Sequence, residues 1–204
     1  VKTSLLYRKN ETDEFKSILT TDFKESVSPL YFTFDNQELY VSSNRGKDKS
    51  AIYKFNLNTA QEGELIFKHD EVDVYGLMRS KKRKVITGVS YTTDKRQIEF
   101  FDQWRKNVQN KLEAKLEGVE IAVTEFSKDE TKAIIVTYSD RSRGTYYYYD
   151  IENDNLTKLA DLSPWLDEND MAYMKPISYE SRDGLTIHGY LTLPINYNKE
   201  DKIP

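Results

Sequence analysis

The sequence predicts an all-β fold: a partial β-propeller of about three and a half four-stranded antiparallel blades, with one inserted α-helix and a C-terminal β-hairpin. Three observations predict it. Fifteen tyrosines cluster with Phe, Ile, Val and Thr in short runs bounded by Asn, Asp, Lys and Gly, a composition of strands rather than helices. Four runs align, LLYRKN, AIYKFN, QIEFFD and YYYYDI, and the residues Asn10, Asn56, Asp102 and Asp150 in them stand 46, 46 and 48 apart. Several strand-sized runs fit within each interval, and a period in the mid-forties holding four strands is the mark of a propeller blade.

Residues 4–19 supply the outer half of a first blade. The second blade reads most fully, with strands at 29–34, 38–43, 51–56 and 64–68 joined by polar turns such as DNQ and NRGKDK. Strands at 74–79, 84–91 and 96–102 follow, then 120–127, 132–139, 145–151 and 156–161. Between the last two sets lies the one helical pattern, at 103–117. Trp104, Val108, Leu112 and Leu116 recur every fourth residue, Asp102 can cap the start and Gly118 can stop the end. The helix is expected to replace the outer hairpin turn of its blade and to lay this apolar stripe on the blade wall.

From Ser163 the register breaks. The propeller is therefore bounded at 1–162, and 163–174 (SPWLDENDMAYM) reads as a connector. Residues 175–194 read as a hairpin turning at Arg182, Asp183 and Gly184, an Asp-Gly pair between alternating residues. After the turn, Leu185, Ile187, Gly189, Leu191 and Leu193 share one strand face, and Thr186, His188, Tyr190 and Thr192 the other.

Composition narrows the function classes. A net charge of -4, from 30 basic and 34 acidic side chains, sets up no field that would gather a polyanion, so nucleic acid is not an expected partner. The mean hydropathy is -0.74 and no apolar run nears 18 residues, so no membrane partner is expected either. The absence of cysteine excludes a disulfide scaffold, a thiolate nucleophile and a Cys-based zinc site. The sequence starts at Val1 and not Met, without a basic stretch and apolar core behind it, so the native N-terminus is expected to be missing and the compartment, cytoplasm or periplasm, stays open.

Several tempting motifs read as structure. His188 alternates along a strand, and His69 stands beside Asp70 and Glu71 with no second histidine near, so no metal site is assigned. The run RSKKRK at 79–84 falls where DNQE (35–38) and KDET (128–131) fall in the repeat, which makes it a turn between a blade's first two strands. Residues 150–155 lack the glycine and closing glutamate of a calcium loop, and RGKDKS at 45–50 lacks the first glycine of a phosphate loop. No cofactor is expected.

The hairpin sequence ISYESRDGLTIHGYLTLP resembles the first two strands of the hydrolase domain in the prolyl oligopeptidase family, above all its acylaminoacyl-peptidase and dipeptidyl-peptidase-like branch. The connector, the helical stretch FFDQWRKNVQNKLEAKLEG and the last blade GTYYYYDIENDNLTKLADL are similar to parts of that branch, so the resemblance covers essentially the whole chain. It implies that 175–204 opens an α/β-hydrolase domain whose serine, aspartate and histidine follow Pro204. The nearest approach here to a G-x-S-x-G elbow, Gly88-Val89-Ser90-Tyr91-Thr92, lacks the second glycine and lies in a strand. No catalytic residue is assigned. In such peptidases the propeller narrows access to the catalytic cavity, which makes Arg141 and Arg143 of the loop SDRSRG candidates for meeting a peptide carboxylate. The resemblance implies a non-catalytic propeller piece of a serine peptidase, gating peptides and packing on its own hydrolase domain. The alternative is a stand-alone TolB-like propeller module that binds proteins. Either way, open blade faces and edges are expected to self-associate.

Overall fold

A computed structural model describes residues 2–198, so Val1 and residues 199–204 of the expected hydrolase segment lie outside the described residues. Its contacts divide the chain into two units, Val1–Lys106 and Asn107–Pro204. The first unit holds three antiparallel sheets whose strands follow chain order. A two-stranded sheet joins β1 (Thr3–Tyr7) and β2 (Lys16–Thr21), the outer half-blade expected at this end. The second sheet is β3 (Val27–Phe32), β4 (Glu38–Ser43), β5 (Ala51–Asn56) and β6 (Gln61–Phe67). The third is β7 (Val74–Ser80), β8 (Val85–Thr92) and β9 (Arg96–Phe100).

The second sheet shows why its strands read as nearly continuous apolar runs. Side chains of a strand alternate between faces, and both faces of this sheet are covered. Leu39 and Val41 of β4, with Ala51, Tyr53 and Phe55 of β5, enter one core together with Leu5, Tyr7, Ile18 and Leu19 of the half-blade. The intervening Tyr40 and Ile52 enter a second core with Val74, Leu77 and Val89 of the third sheet. Val41, Ile52 and Phe55 retain no solvent exposure. Hydrogen bonds tie the second and third sheets as well: the Ser42 hydroxyl donates to the Val74 carbonyl (2.8 Å) and the Val74 N–H to the Ser50 carbonyl (2.9 Å).

The second unit contains β10 (Glu120–Phe126), β11 (Lys132–Tyr138), β12 (Thr145–Asp150) and β13 (Asn155–Asp161) as another antiparallel four-stranded sheet. A hairpin of β14 (Met174–Glu180) and β15 (Thr186–Thr192) follows. Ala133, Ile135 and Thr137 of β11 are buried in alternation, with Ile121 and Tyr149. The Tyr149 hydroxyl donates to Asp154, and burial first and that carboxylate second push the phenol far up while Asp154 is pulled down.

The repeat recurs in the turns. Thr33 and Ser127, at the starts of first-turn loops, each exchange the same bonds: the Thr33 N–H donates to the Glu38 carbonyl and the Ser127 N–H to the Lys132 carbonyl, both at 2.9 Å. Their hydroxyls donate to Asp35 (2.6 Å) and Asp129 (2.5 Å), and each turn has a residue of positive φ, Asn36 and Glu130. The basic run forms the corresponding turn between β7 and β8, with four residues (81–84) between the strands where the other two turns have five, and with the positive φ at Lys84. The Ser127 hydroxyl, then the N–H and hydroxyl of Thr131, hold the Asp129 carboxyl down at about 2. A carboxyl depressed on folding stabilises above its unfolded value of about 4 and loses that contribution as pH falls through the folded one. Carbon-13 titration should therefore place Asp129 near 2, and Ser127→Ala should raise its midpoint toward the ordinary aspartate range.

Three of the four periodic Asx positions start the segment that follows the third strand of their repeat, whereas Asn10 donates its side-chain amide to Asp13 (2.9 Å). Asn56 accepts from the N–H groups of Asn58 (2.9 Å) and Thr59 (3.0 Å), and Asp150 from that of Asn153 (3.1 Å), so each nucleates a turn. Asp102 accepts from the Arg105 N–H (2.8 Å) and caps helix α1 (Gln103–Lys115), the element at which the two units divide. Gly118, at φ +78°, follows it with open space around its α-carbon. The helix differs from expectation in two ways. It follows the last strand of a three-stranded sheet along the chain, where each four-stranded sheet continues into a fourth strand. Beside Val108 and Leu112 it also buries Arg105 and Gln109, a polar stripe that an apolar pattern does not reveal. The Gln109 amide donates to Glu113 (3.1 Å) and the Ile121 carbonyl (3.5 Å). None of the helices among the described residues is long and apolar enough to cross a membrane.

Candidate functional site

The loop between β11 and β12 carries both candidate arginines and is shaped by its serines. The Ser139 hydroxyl accepts from the N–H groups of Arg141 and Ser142, both at 3.1 Å, and the Ser139 N–H donates to the Ser142 carbonyl (3.0 Å). Gly144 brings the chain back into β12 at φ +108°. This tight loop grips the connector. The Asp140 carboxylate accepts from the Met174 N–H (2.7 Å), where the hairpin begins. Arg141 Nε donates to the carbonyls of Glu168 (2.9 Å) and Met171 (3.1 Å), its Nη2 to Glu168 again, and its Nη1 to the Tyr173 hydroxyl (2.7 Å). The guanidinium also lies 4.6 Å from the Tyr173 ring centre. The carbonyls it serves belong to a short 3-10 turn (Glu168–Asp170), capped by Asp167 through the Asn169 N–H, and to Met171, which closes that turn.

The structure thus separates two arginines that sequence reading treats alike. Arg141 spends its Nε–H and one N–H on each terminal nitrogen on the connector, which leaves two of its five donors for a ligand. Arg143 is exposed and has no partner among the described residues. A cleft of about 360 Å³ opens beside Arg141, lined also by Tyr173, Lys175, Leu191, Leu193 and Tyr197. Its two cations, with no carboxylate in the lining, suit an anionic group, and its leucines and tyrosines suit an apolar side chain. Sequence reading did not single out Asp140, Tyr173 or Lys175. The Ser-Asp-x-Ser pattern of the loop signals a self-bonded turn, but which distant segment it holds is not encoded locally.

Removing Arg141 tests this clamp. Arg141→Ala leaves the carbonyls of Glu168 and Met171 without their charged donor, a change worth about 1.5–3 kcal/mol. Amide exchange of residues 166–175 should quicken by about tenfold or more, with the β10–β13 sheet unchanged.

The remaining candidates take structural places. His188 is exposed on β15 opposite Ser178. The His69 ring lies 4.7 Å from that of Tyr91, and its Nδ1 accepts from the Glu71 N–H. In the loop 45–50, Arg45 donates to the Ala60 carbonyl (3.2 Å) and Gln61 (3.0 Å), and the Gly46 N–H to Glu25 (2.8 Å), so the amide groups that a phosphate would need are committed. In 150–155, Asp154 pairs with Lys115 (3.3 Å) and Asp150 holds its own turn. Gly88 to Thr92 is not an elbow: Ser90 is a mid-strand residue of β8, paired with Gly76 on one side and Ile98 on the other.

The hairpin turns where expected. Gly184 has φ +83°, the Gly184 N–H donates to the Ser181 carbonyl (3.0 Å), and Asp183 accepts from the Ser181 hydroxyl and the Leu185 N–H. Register pairs Ile177 with Gly189 and Tyr179 with Ile187, so these apolar residues share one face with Leu191. That face is uncovered, with Tyr179 58% and Leu191 41% exposed.

No protein-family model matches the chain. It is 27% identical over 187 residues to dipeptidyl aminopeptidase BIII of Pseudoxanthomonas mexicana, across 88% of this chain and 25% of that protein. The chain therefore spans about a quarter of the length of the curated relative it matches. Among solved structures, puromycin hydrolase superposes with a TM-score of 0.62 at 15% identity, covering 100% of this chain and 32% of that one. A prolyl endopeptidase gives 0.60 at 12% (96% and 28%), and dipeptidyl peptidase 4 of Porphyromonas gingivalis 0.57 at 16% (91% and 27%). The structural likenesses carry the fold, a partial propeller, and the dipeptidyl aminopeptidase match adds sequence relationship. Together with the repeat of blade turns, they support the resemblance of the chain to the prolyl oligopeptidase family.

Proposed function

We propose that this chain is the non-catalytic propeller part of a serine peptidase, admitting short peptides to a hydrolase domain that follows it and keeping folded proteins out. The observation that carries the reading is the β14–β15 hairpin. Two strands alone are marginal in water, yet this pair presents Ile177, Tyr179, Ile187 and Leu191 on one uncovered face, and the Arg141 and Asp140 bonds tether it to the last blade. A sheet that continues from the hairpin would cover that face, and the tether would set the spacing between sheet and propeller. Self-association through open sheet faces is the competing way to cover it.

In this reading Arg143 meets the carboxylate of an incoming peptide, and the two spare donors of Arg141 reinforce it. Replacement of Arg143 by alanine in the longer peptidase should then alter selectivity among peptides that differ at their carboxylate. The non-catalytic role is supported by the place of Ser90 inside a strand, away from any strand-to-helix turn of the kind that exposes a nucleophile.

A fluorophosphonate probe tests the proposal. The 204-residue chain should remain unlabelled, and the longer protein that contains it should be labelled at one serine outside these residues. Labelling of any serine in this chain, or of none in the longer protein, would remove the reading.

A further inference from the structure

The basic run that the repeat assigns to a turn has a second property, visible only in three dimensions. Between this turn and β3 lies a cleft of about 430 Å³. Its lining includes three cations, Arg79, Lys81 and Lys84, and three aromatic rings, Tyr31, Phe32 and Phe34, and includes no carboxylate. In a chain of net charge -4 this is a local reversal of sign.

Arg79 is the centre of the cleft chemically. Its guanidinium carbon lies 3.8 Å from the Tyr31 ring centre, so the ring fixes the cation against the wall. The side chain is half-buried, and its five N–H groups meet no acceptor among the described residues. A stacked, planar guanidinium with open donors is arranged for two parallel bonds to a carboxylate. The nearest carboxylate in sequence on the facing turn, Asp35, is committed to the Thr33 hydroxyl (2.6 Å) and the Gln37 N–H (3.1 Å). Lys81 and Lys84 are exposed and likewise unpaired among the described residues. Phe32, 42% exposed, adds an apolar surface beside them.

We propose that this cleft is a binding site for a short acidic peptide segment, with a carboxylate on Arg79, further negative charge on Lys81 and Lys84, and an apolar or aromatic side chain against Phe32 and Phe34. The volume holds a few side chains, and the net negative charge of the rest of the chain works against a long polyanion, so a peptide fits better than a nucleic acid strand. The site is distinct from the Arg141 and Arg143 loop and does not depend on the gating role.

Titration of the full chain with end-capped Glu-Glu-Phe-Glu-Glu, followed by amide NMR shifts, is the test. Shifts should concentrate at residues 30–36 and 79–84, and the Gln-Gln-Phe-Gln-Gln counterpart should bind about tenfold more weakly or worse. Affinity should fall as salt is raised. Arg79→Ala should weaken binding by about tenfold, and Arg79→Lys, which keeps charge but loses the planar fork, should recover only part of it. If Arg79→Ala does not fold, Lys81→Glu in the exposed turn reads the same question. Equal binding of the two peptides, no binding of the acidic one, or undiminished binding in every folded variant would overturn the proposal. Tighter binding of an oligouridylate than of the acidic peptide would overturn it in favour of a nucleic acid site.

Discussion

Gly144→Ala is expected to disrupt the β11–β12 loop and with it the grip on the connector. Residue 144 adopts φ +108°, a region that residues with a β-carbon rarely enter, and a β-carbon there would fall within the envelope of the Thr137 carbonyl oxygen. That carbonyl is backbone and cannot swing aside. Relief requires the start of β12 to move away from β11, which breaks the Thr137 to Thr145 pairing and the bond from the Leu162 N–H to the Gly144 carbonyl (2.9 Å). Strain of this kind, added to lost bonds, costs about 3 kcal/mol or more. Denaturant unfolding should show that loss, and amide exchange should show it centred on residues 137–145. A midpoint within experimental error of the parent chain would mean that the loop tolerates another path. Gly118 is the internal control: it also has positive φ but has open space around it, so Gly118→Ala should cost about 1 kcal/mol.

Phe55→Ala should be the most damaging substitution in the first unit. Phe55 has no solvent exposure and sits in the core that joins the half-blade to the second sheet, against residues such as Leu39, Val41 and Leu57. Removal of a buried phenylalanine ring costs about 3–5 kcal/mol, with the larger value where neighbours cannot close the gap. Here the neighbours on β4 are held on their other face by the second core, through Tyr40 and Ser42, so little collapse is available. Unfolding monitored by Tyr and Trp fluorescence should shift by that amount. Phe101→Ala, at a 44% exposed site, should cost much less.

How much of this was legible in the sequence depends on the range of the interaction. Asn56, Asp102 and Asp150 act on N–H groups two or three residues away, so their spacing announces the blades and the helix start directly. Thr33 and Ser127 organise six-residue turns, which also lie within local reach. Strand ends shifted by one to three residues, as at β3, which begins at Val27 and not 29, because pairing with Ser43 of β4 extends the strand beyond its apolar run. What could not be read is long-range. Arg79 on Tyr31 and Arg141 on Glu168 join residues 48 and 27 apart, and a guanidinium carries no local sign of which ring or carbonyl it will find. The burial of Arg105 and Gln109 is hidden for the same reason: polarity predicts exposure unless a partner such as the Ile121 carbonyl is already known.

The recurring Asx residue has a wider meaning for how such a chain diversifies. At positions 56 and 150 it starts a turn into a fourth strand, and at 102 the same chemistry starts thirteen residues of helix. The side-chain oxygen satisfies amide groups that neither continuation could satisfy by itself, so it is indifferent to what comes next. A blade can then exchange its outermost element for a different one without altering the three strands inside it. One local device thus serves two different fourth elements, a strand after Asn56 and Asp150 and a helix after Asp102.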